Sequence, residues 1–236
     1  LKGWQAVFAG DGFFYDYPLG RAHYGDFGYV HIAELIHSEI QKLHQMGLHG
    51  YISCQELRAA FPNALPDYMM GHVLFDKETC AKELINEYFQ ACYGSEWEEI
   101  RTYLEKLSKM CCCDYVNGKG GRRNADVAER MEHVRVLCME YTDLIGNHRM
   151  ADGRWESIYW EVLDYHRKYV ILFSEALKHF ARGENSQADC EWGKLRDFIC
   201  KNESRYQPFL DVYRILDVTR NYTGFCGCTL EQQDDI

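Results

Sequence analysis

The feature that most constrains the fold is a strand–helix–strand pattern near the beginning of the chain. Residues 12–17 and 51–54 are short segments rich in aromatic or β-branched side chains, as β-strands are. Residues 29–47 carry apolar side chains at steps of three and four, the spacing of an amphipathic helix, and Gly47 stands where that helix would end. Two strands joined through a helix lie parallel, so the pattern predicts a βαβ unit.

A single parallel pair of strands is not a complete sheet. Parallel sheets have several strands and are covered on both faces. Residues 4–9 are predicted to form a third strand, and the rest of the chain offers no further one. We therefore expect the remaining strands to lie in sequence that precedes Leu1. The alternative is a small, irregular sheet that the helices complete.

From residue 77 onward the sequence has the pattern of amphipathic helices almost without interruption. Ser95 and Glu98 form a capping-box pair at the start of one helix, and residues 111–124 form a glycine-rich, polar break. Short links between long amphipathic helices make neighbours antiparallel, which predicts a bundle. The predicted helices span residues 79–93, 95 to the break, 125–149, 154–182, 186–205 and 208–219, with an irregular tail from 222.

The predicted fold class is therefore mainly α. A short β/α segment, residues 1–76, is followed by an α-helical bundle domain, residues 77–236.

Charge and hydropathy exclude two classes of partner. The net charge is −10, and basic side chains cluster only at Lys119, Arg122 and Arg123, among glycines of the predicted break. Binding nucleic acid needs a basic surface that neutralises phosphates, so we expect a solvated loop here and no nucleic-acid partner. No run of about 18 or more apolar residues is present, so we expect no membrane partner.

The cysteines indicate a reducing environment. The chain has 11 cysteines, and most fall on apolar helical positions rather than at the spaced loop sites of a disulfide framework. We interpret Cys80, Cys92, Cys138 and Cys190 as small buried hydrophobic residues. No signal peptide is recognisable, so the expected localisation is cytoplasmic.

The histidines and cysteines lack metal-binding spacing. Zinc sites on helices use ligands four residues apart, and others use paired Cys-x-x-Cys motifs. His37 and His44 are a heptad apart, and the thiols of residues 111–113 are adjacent, which does not suit tetrahedral chelation of one ion. No glycine-rich nucleotide loop follows a strand. We therefore expect no metal and no cofactor.

Several short motifs around the second predicted strand resemble a known family. They are Tyr-Asp-Tyr-Pro at residues 15–18, Ser-Cys-Gln at 53–55, Phe-Pro-x-x-Leu-Pro-x-Tyr at 61–68, Leu-Phe-Asp at 74–76 and Glu-Tyr-Phe at 87–89. This set is similar to the glycoside-hydrolase-like family called domain of unknown function 4838, whose members look like relatives of the alpha-glucuronidase and hexosaminidase barrels. The resemblance covers about the first hundred residues, and the helical remainder matches in character only.

The resemblance implies an architecture for the chain. Residues 1–76 would be the end of a (β/α)8 barrel, and the helical remainder would be the family's carboxyl-terminal domain. An amino-terminal domain and most of the barrel would precede Leu1, so this missing barrel is an expected partner of the chain. In such barrels the active site lies at the carboxyl ends of the strands.

Candidate site residues follow both predicted strands, because these strand ends open on the same face. Asp and Gln at such positions hydrogen-bond sugar hydroxyls, and Tyr stacks on the sugar ring. We expect Tyr15 and Tyr17 to alternate across the strand, so that at most one of them points into the pocket. The candidate substrate-binding residues are Tyr15, Asp16, Tyr17, Gln55, Glu56 and Arg58.

Two of these residues have further interpretations. Glycoside hydrolysis commonly uses two carboxyl groups, so Asp16 and Glu56 are also candidate catalytic groups. The resemblance, however, implies that the catalytic acid lies on an earlier strand, so the catalytic residues stay unknown. In a purely structural role, Asp16 would bond a turn amide before Pro18, and Glu56 would pair with Arg58 or Arg21.

Two functions follow from these patterns. The first is part of a glycoside-hydrolase-like, carbohydrate-active enzyme that contributes late-strand residues for a carbohydrate substrate and a helical accessory domain. The alternative is a non-catalytic helical interaction or scaffold module. If a barrel is missing, the apolar side chains of residues 4–17 should be exposed, and the chain should self-associate.

Overall fold

The computed structural model describes residues 1–19, 22–54, 58, 60–149 and 156–225. The chain is mainly helical, with a short β/α segment and a helical bundle, so the predicted fold class is confirmed. Within the described residues, no helix combines the length and the apolar character that crossing a membrane requires. The predicted tail beyond residue 225 lies outside this part of the chain.

The chain begins with a helix where a strand was predicted. Helix α1, Lys2–Gln5, is followed by turns, so the prediction of a strand over residues 4–9 is wrong. The rings of Trp4 and Phe8 lie 5.5 Å apart, and the Phe8 amide donates to the Trp4 carbonyl at 3.0 Å. Aromatic residues four apart stabilise a helical turn, and this local contact replaces strand pairing. The side-chain amide of Gln5 also donates to the Met46 carbonyl at 2.6 Å.

The predicted βαβ unit is present. Strand β1, Phe13–Asp16, pairs in parallel with strand β2, Gly50–Ser53, and helix α2, Val30–Leu43, connects them. A short 3-10 turn extends α2 to Gly47, whose φ of +71° ends the helix as predicted, because glycine adopts this conformation without steric cost.

The beginning of α2 is fixed by a buried polar network. The Asp26 carboxylate, 1% exposed, accepts hydrogen bonds from the amides of Tyr29 at 3.1 Å and Ile32 at 2.9 Å. The Ser108 hydroxyl donates to the same carboxylate at 2.6 Å and accepts from the Val30 amide at 3.0 Å. These bonds satisfy the free amides of the first helical turn and join α2 to the helix that ends just beyond Ser108.

The two faces of the sheet differ in cover. Phe14 and Tyr51, with ring centroids 6.0 Å apart, face α2 and its apolar side chains. On the other face Phe13, Tyr15 and Ile52 are 61%, 50% and 46% exposed. Trp4, Val7 and Phe8 are exposed as well. The exposure predicted for residues 4–17 is therefore confirmed except at Phe14, which packs against α2.

The remaining helices form the bundle. They are α3, Leu65–Phe75; α4, Ala81–Tyr93; α5, Trp97–Lys109; α6, Cys113–Val116; α7, Ala125–Glu140; α8, Thr142–His148; α9, Glu156–Arg182; α10, Asn185–Tyr206; and α11, Val212–Asp217. Helix α9 is the centre, with α7 and α10 packed along it. The main core includes Phe27 and Phe61 from the first part of the chain, which contact Phe173 and Tyr169 of α9 at centroid distances of 6.0 and 5.3 Å.

Three predicted helix boundaries are wrong in detail. The Ser95–Glu98 capping box does not form, because residues 94–96 make a 3-10 turn and the Ser95 hydroxyl donates to Glu96 instead. The helix predicted over residues 125–149 is interrupted at Tyr141, whose ring stacks on Tyr103 at 4.4 Å. The last helix begins four residues later than predicted.

The position of Pro208 did not locate the beginning of this last helix. Proline tolerates the first helical turn, which favoured a restart at Pro208. Helix α11 instead begins at Val212, because the Asp211 side chain accepts from the Arg214 amide at 3.0 Å and caps it. The side-chain cap is the stronger signal here.

The cysteines interpreted as buried divide into two groups. Cys92 and Cys138 are buried, as predicted, but Cys80 and Cys190 are exposed, so for those two the prediction is wrong. Cys80 precedes α4 at its amino end, and Cys190 lies on the solvent side of α10. The spacing of apolar residues did not distinguish a cysteine inside the buried stripe of a helix from one beside that stripe.

Candidate functional site

The carboxyl ends of β1 and β2 lie side by side at one edge of the sheet. Asp16 is paired with Ser53 in the strand register, and the Cys54 amide donates to the Asp16 carbonyl at 3.0 Å. The loops that follow the two strands therefore begin next to each other. This is the arrangement that makes the carboxyl edge of a parallel sheet a binding site in α/β folds.

The Asp16 carboxylate is half-buried and has structural partners. One oxygen accepts from the Tyr17 amide at 2.8 Å, just before Pro18, so the structural role considered for Asp16 is present. Burial, and then the nearby Asp16 charge, raise the pKa of Tyr51 to about 12, so Tyr51 is a neutral donor at pH 7.

Tyr15 and Tyr17 project from the same face of the sheet edge, with ring centroids 5.1 Å apart in an edge-to-face contact. The expectation that they alternate across the strand is wrong, because side chains two residues apart share a face. A hydrogen bond with Tyr17 is the main cause that raises the pKa of Tyr15 to about 12. Both rings are about half exposed and form a paired aromatic surface.

The other predicted site residues belong to the loop after β2. Arg58 is exposed in a turn of that loop. Gln55 and Glu56 lie outside the described residues, as does Arg21, so the proposed pairing of Glu56 with a neighbouring arginine stays a prediction. The described part of the edge is therefore Tyr15, Asp16, Tyr17 and Cys54, whose thiol contacts the Tyr15 hydroxyl.

Chemically, this edge can bind a polyhydroxylated ring. Aromatic rings offer apolar area with a polar tip, and a carboxylate accepts hydrogen bonds from hydroxyl groups. In the described part of the edge, Asp16 is the one carboxylate, whereas glycoside hydrolysis commonly needs two. Among the described residues no group of three or more His, Cys, Asp or Glu side chains is arranged to hold a metal ion.

A second site lies away from the strand ends. A groove of about 480 Å³ is lined by Cys111, Cys112 and Cys113 together with charged side chains. The sequence pattern of these thiols favours buried or idle cysteines over metal ligands and gives no indication of a groove. The signal that could have found the groove was the rarity of three consecutive cysteines in a break between helices, with arginine in the next helix.

The fold and the strand-end edge define a mainly α protein with a parallel β/α unit that carries an aromatic and carboxylate edge. No family model, no curated protein and no solved structure matches the chain. The likeness to the glycoside-hydrolase-like family therefore stays a prediction that depends on the short motifs themselves.

Proposed function

We propose that this chain supplies the late-strand, sugar-binding edge of a glycoside-hydrolase-like β/α barrel, with its helical bundle as an accessory domain. The observation that supports the proposal most is the parallel βαβ unit, whose carboxyl edge bears Tyr15, Asp16 and Tyr17. The uncovered aromatic face of the same sheet is what a strand pair inside a larger parallel sheet would bury.

Each residue of the edge has a role in this proposal. The Tyr15 and Tyr17 rings form a platform for a sugar ring. The Asp16 carboxylate accepts one hydrogen bond within its turn, and its remaining lone pairs accept hydrogen bonds from sugar hydroxyls. Gln55, Glu56 and Arg58 follow β2 and would extend the edge around the sugar. The groups that cleave the glycosidic bond would lie on strands outside this chain.

Asp16→Asn provides the first test, in the longest natural chain that contains these residues. Removing the negative charge weakens a hydrogen bond of a charged group, which contributes about 1.5–3 kcal/mol, or roughly 10- to 100-fold in affinity. Calorimetric titration with a panel of oligosaccharides would measure this loss, and aryl glycosides would measure turnover. Glu56→Gln should weaken binding in the same direction.

Asp11→Asn is the matched control. Asp11 is an exposed carboxylate that precedes the same strand at its amino end, where it accepts from His49 at 2.6 Å. It lies at the opposite end of β1 from the proposed site, so affinity and turnover should stay unchanged. If Asp16→Asn and Glu56→Gln also left both unchanged, the sugar-binding proposal would be wrong.

One observation favours the alternative function, a non-catalytic interaction module. The uncovered sheet face is continuous in sequence with α1, whose Trp4 is 63% exposed, and such patches mark protein interfaces. A stable dimer of this chain that buries Trp4 and Phe13, and that binds no sugar, would support the module instead. Light scattering together with solvent protection of Trp4 fluorescence distinguishes the two functions.

A further inference from the structure

Three parts of the chain form the walls of the cysteine-lined groove. Residues 111–113, which lead into α6, form one wall, and Asp26 and His31 contribute from the region around the beginning of α2. Arg130 lines the groove from α7. The volume of about 480 Å³ falls within the usual range of small-molecule sites.

The backbone that carries the thiols is fixed on both sides. The Cys112 amide donates to the Gly25 carbonyl at 2.9 Å, and the Arg130 guanidinium donates to the Cys111 carbonyl at 2.7 Å. A Cβ on Gly25 would lie 2.5 Å from the Cys113 Cα, so only glycine permits this approach. The positions of the thiols in the groove are therefore set by the fold.

The three thiols differ in their surroundings. Cys112 is 5% exposed, and burial raises its pKa to about 12, so it is an inert core thiol. Cys111 and Cys113 are half-buried and line the same groove, separated by one residue. This pair, rather than the run of three, carries the chemistry.

The two thiols of the pair differ in acidity. The Cys113 thiol, as a hydrogen-bond donor, is the main cause that lowers the pKa of Cys111 to about 6. Burial and the Asp26 carboxylate oppose this change, while His31 and Arg130 add to it. The pKa of Cys113 is raised, first by its interaction with Cys111 and then by burial. Cys111 is therefore the thiol of the pair that ionises first.

We propose that Cys111 and Cys113 form a reactive dithiol site that reduces a small-molecule disulfide admitted to the groove. The Cys111 thiolate attacks one sulfur of the disulfide, whose S–S bond breaks and releases one thiolate that takes a proton from water. Cys113 then loses its proton to water and attacks the Cys111 sulfur, which releases the second thiolate. The protein pair is oxidised to a disulfide, and one small disulfide is reduced to two thiols.

Covalent geometry permits the product. Consecutive Cα atoms are about 3.8 Å apart, so the Cα atoms of residues two apart are separated by about 7 Å at most. Disulfides usually join Cα atoms about 4.4–6.8 Å apart, so a modest bend suffices. The exchange also needs no third side-chain ligand, which fits the absence of a three-ligand metal group in the described residues.

The order in which thiols react tests the proposal on the unaltered protein. Oxidised glutathione would be added at pH 6, and modified cysteines would be located by peptide mapping with mass spectrometry. Cys111 is half-buried, whereas Cys80, Cys190 and Cys200 are exposed. At this pH its larger thiolate fraction outweighs its lower nucleophilicity, so Cys111 should react about tenfold faster than an ordinary exposed thiol. Its rate should level off above about pH 7.

Two substitutions at Cys113 make the test sharper. Cys113→Ser keeps a hydroxyl donor but removes the second nucleophile, so the glutathione adduct on Cys111 should accumulate instead of resolving. Cys113→Ala removes the donor too, so the reaction at Cys111 should slow about tenfold at pH 6. Cys190→Ser, on the solvent side of α10, is the control and should leave the Cys111 rate unchanged.

Two results would overturn the proposal. One is a labelling order in the unaltered protein that follows exposure, with Cys190 or Cys200 ahead of Cys111. The other is a Cys113→Ser protein, folded by circular dichroism, in which no adduct on Cys111 accumulates. An internal Cys111–Cys113 disulfide in the unaltered protein, together with two equivalents of free glutathione, would support it.

Discussion

The helical bundle buries its large side chains, whereas the βαβ unit leaves several of them exposed. In the bundle, Phe173 is fully buried and Trp192 is 1% exposed, with its indole nitrogen donating to Thr219 at 3.1 Å. In the βαβ unit, Phe13 and Tyr15 are at least half exposed on a face with no described layer over it. The large side chains of the bundle are therefore packed in a core, whereas the described sheet is covered on one face only.

Charged groups show the same difference. The buried Asp164 carboxylate of α9 bonds Arg167 at 2.9 Å, Lys168 at 2.7 Å and Arg149 at 2.9 Å. At the amino end of the sheet, Asp11 and His49 form an exposed pair. Buried charges need this degree of compensation, and exposed ones do not. The bundle therefore holds compensated, buried charges, and the amino end of the sheet carries exposed ones.

The largest expected effect is a loss of core packing in the bundle. Phe173→Ala removes a ring that contacts Phe27 and should lower the free energy of unfolding by about 3–5 kcal/mol. Urea unfolding followed by circular dichroism would measure it. A loss below about 1 kcal/mol would mean that the core around α9 is not packed as described.

The next effect concerns the buried charge cluster. Asp164→Asn removes the charge that compensates the buried Arg167 and should lower the free energy of unfolding by about 1.5–3 kcal/mol. Glu78→Gln, which breaks an exposed pair with Lys77, is the control and should change it by less than about 1 kcal/mol. Equal losses in the two variants would contradict the distinction between buried and exposed pairs.

A third effect is a dependence of bundle stability on acid. His166 is 2% exposed beside Phe61, and burial lowers its pKa to about 3. The unfolded chain binds a proton near pH 6.5, so stability is complete above that pH and is lost as pH falls towards 3, by about 1.4 kcal/mol per pH unit. His166→Gln should flatten this slope, whereas the exposed His44→Gln should not. Unfolding titrations between pH 7 and 5 would measure the slopes.

The smallest effect on stability is expected on the sheet. Phe13→Ser removes an exposed ring and should change the free energy of unfolding by no more than about 0.5 kcal/mol. It should nevertheless weaken self-association of the chain, because it removes apolar area from the uncovered face. Light scattering at high concentration would measure association. A clean monomer before substitution would count against the expectation of a missing barrel.

The same contrast explains what could be predicted from the sequence. The βαβ unit and helices α4 and α9 were predictable because the repeating spacing of apolar residues indicates which face of a whole element is buried. The strand at residues 4–9 was not, because a local Trp4–Phe8 contact forms a helical turn there instead. At the strand ends, Asp16 was found from its position, but its bond to the Tyr17 amide depends on backbone geometry that spacing does not encode.

The three consecutive cysteines are visible in the sequence, but the groove that they line is not. The fold brings Asp26, His31 and Arg130 beside these thiols, and Arg130 donates to the Cys111 carbonyl from another helix. Long-range contacts of this kind leave no periodic trace in one sequence.

Amide hydrogen exchange tests the contrast between the two regions most directly, because one experiment reports both. The amides of α9 open only with the packed core, whereas β1 and β2 can open by losing contact with α2 alone. We expect the α9 amides to exchange at least about 100-fold more slowly than those of β1 and β2. Equal protection of the strands and α9 would contradict the description of the sheet as an incompletely covered layer beside a packed helical core.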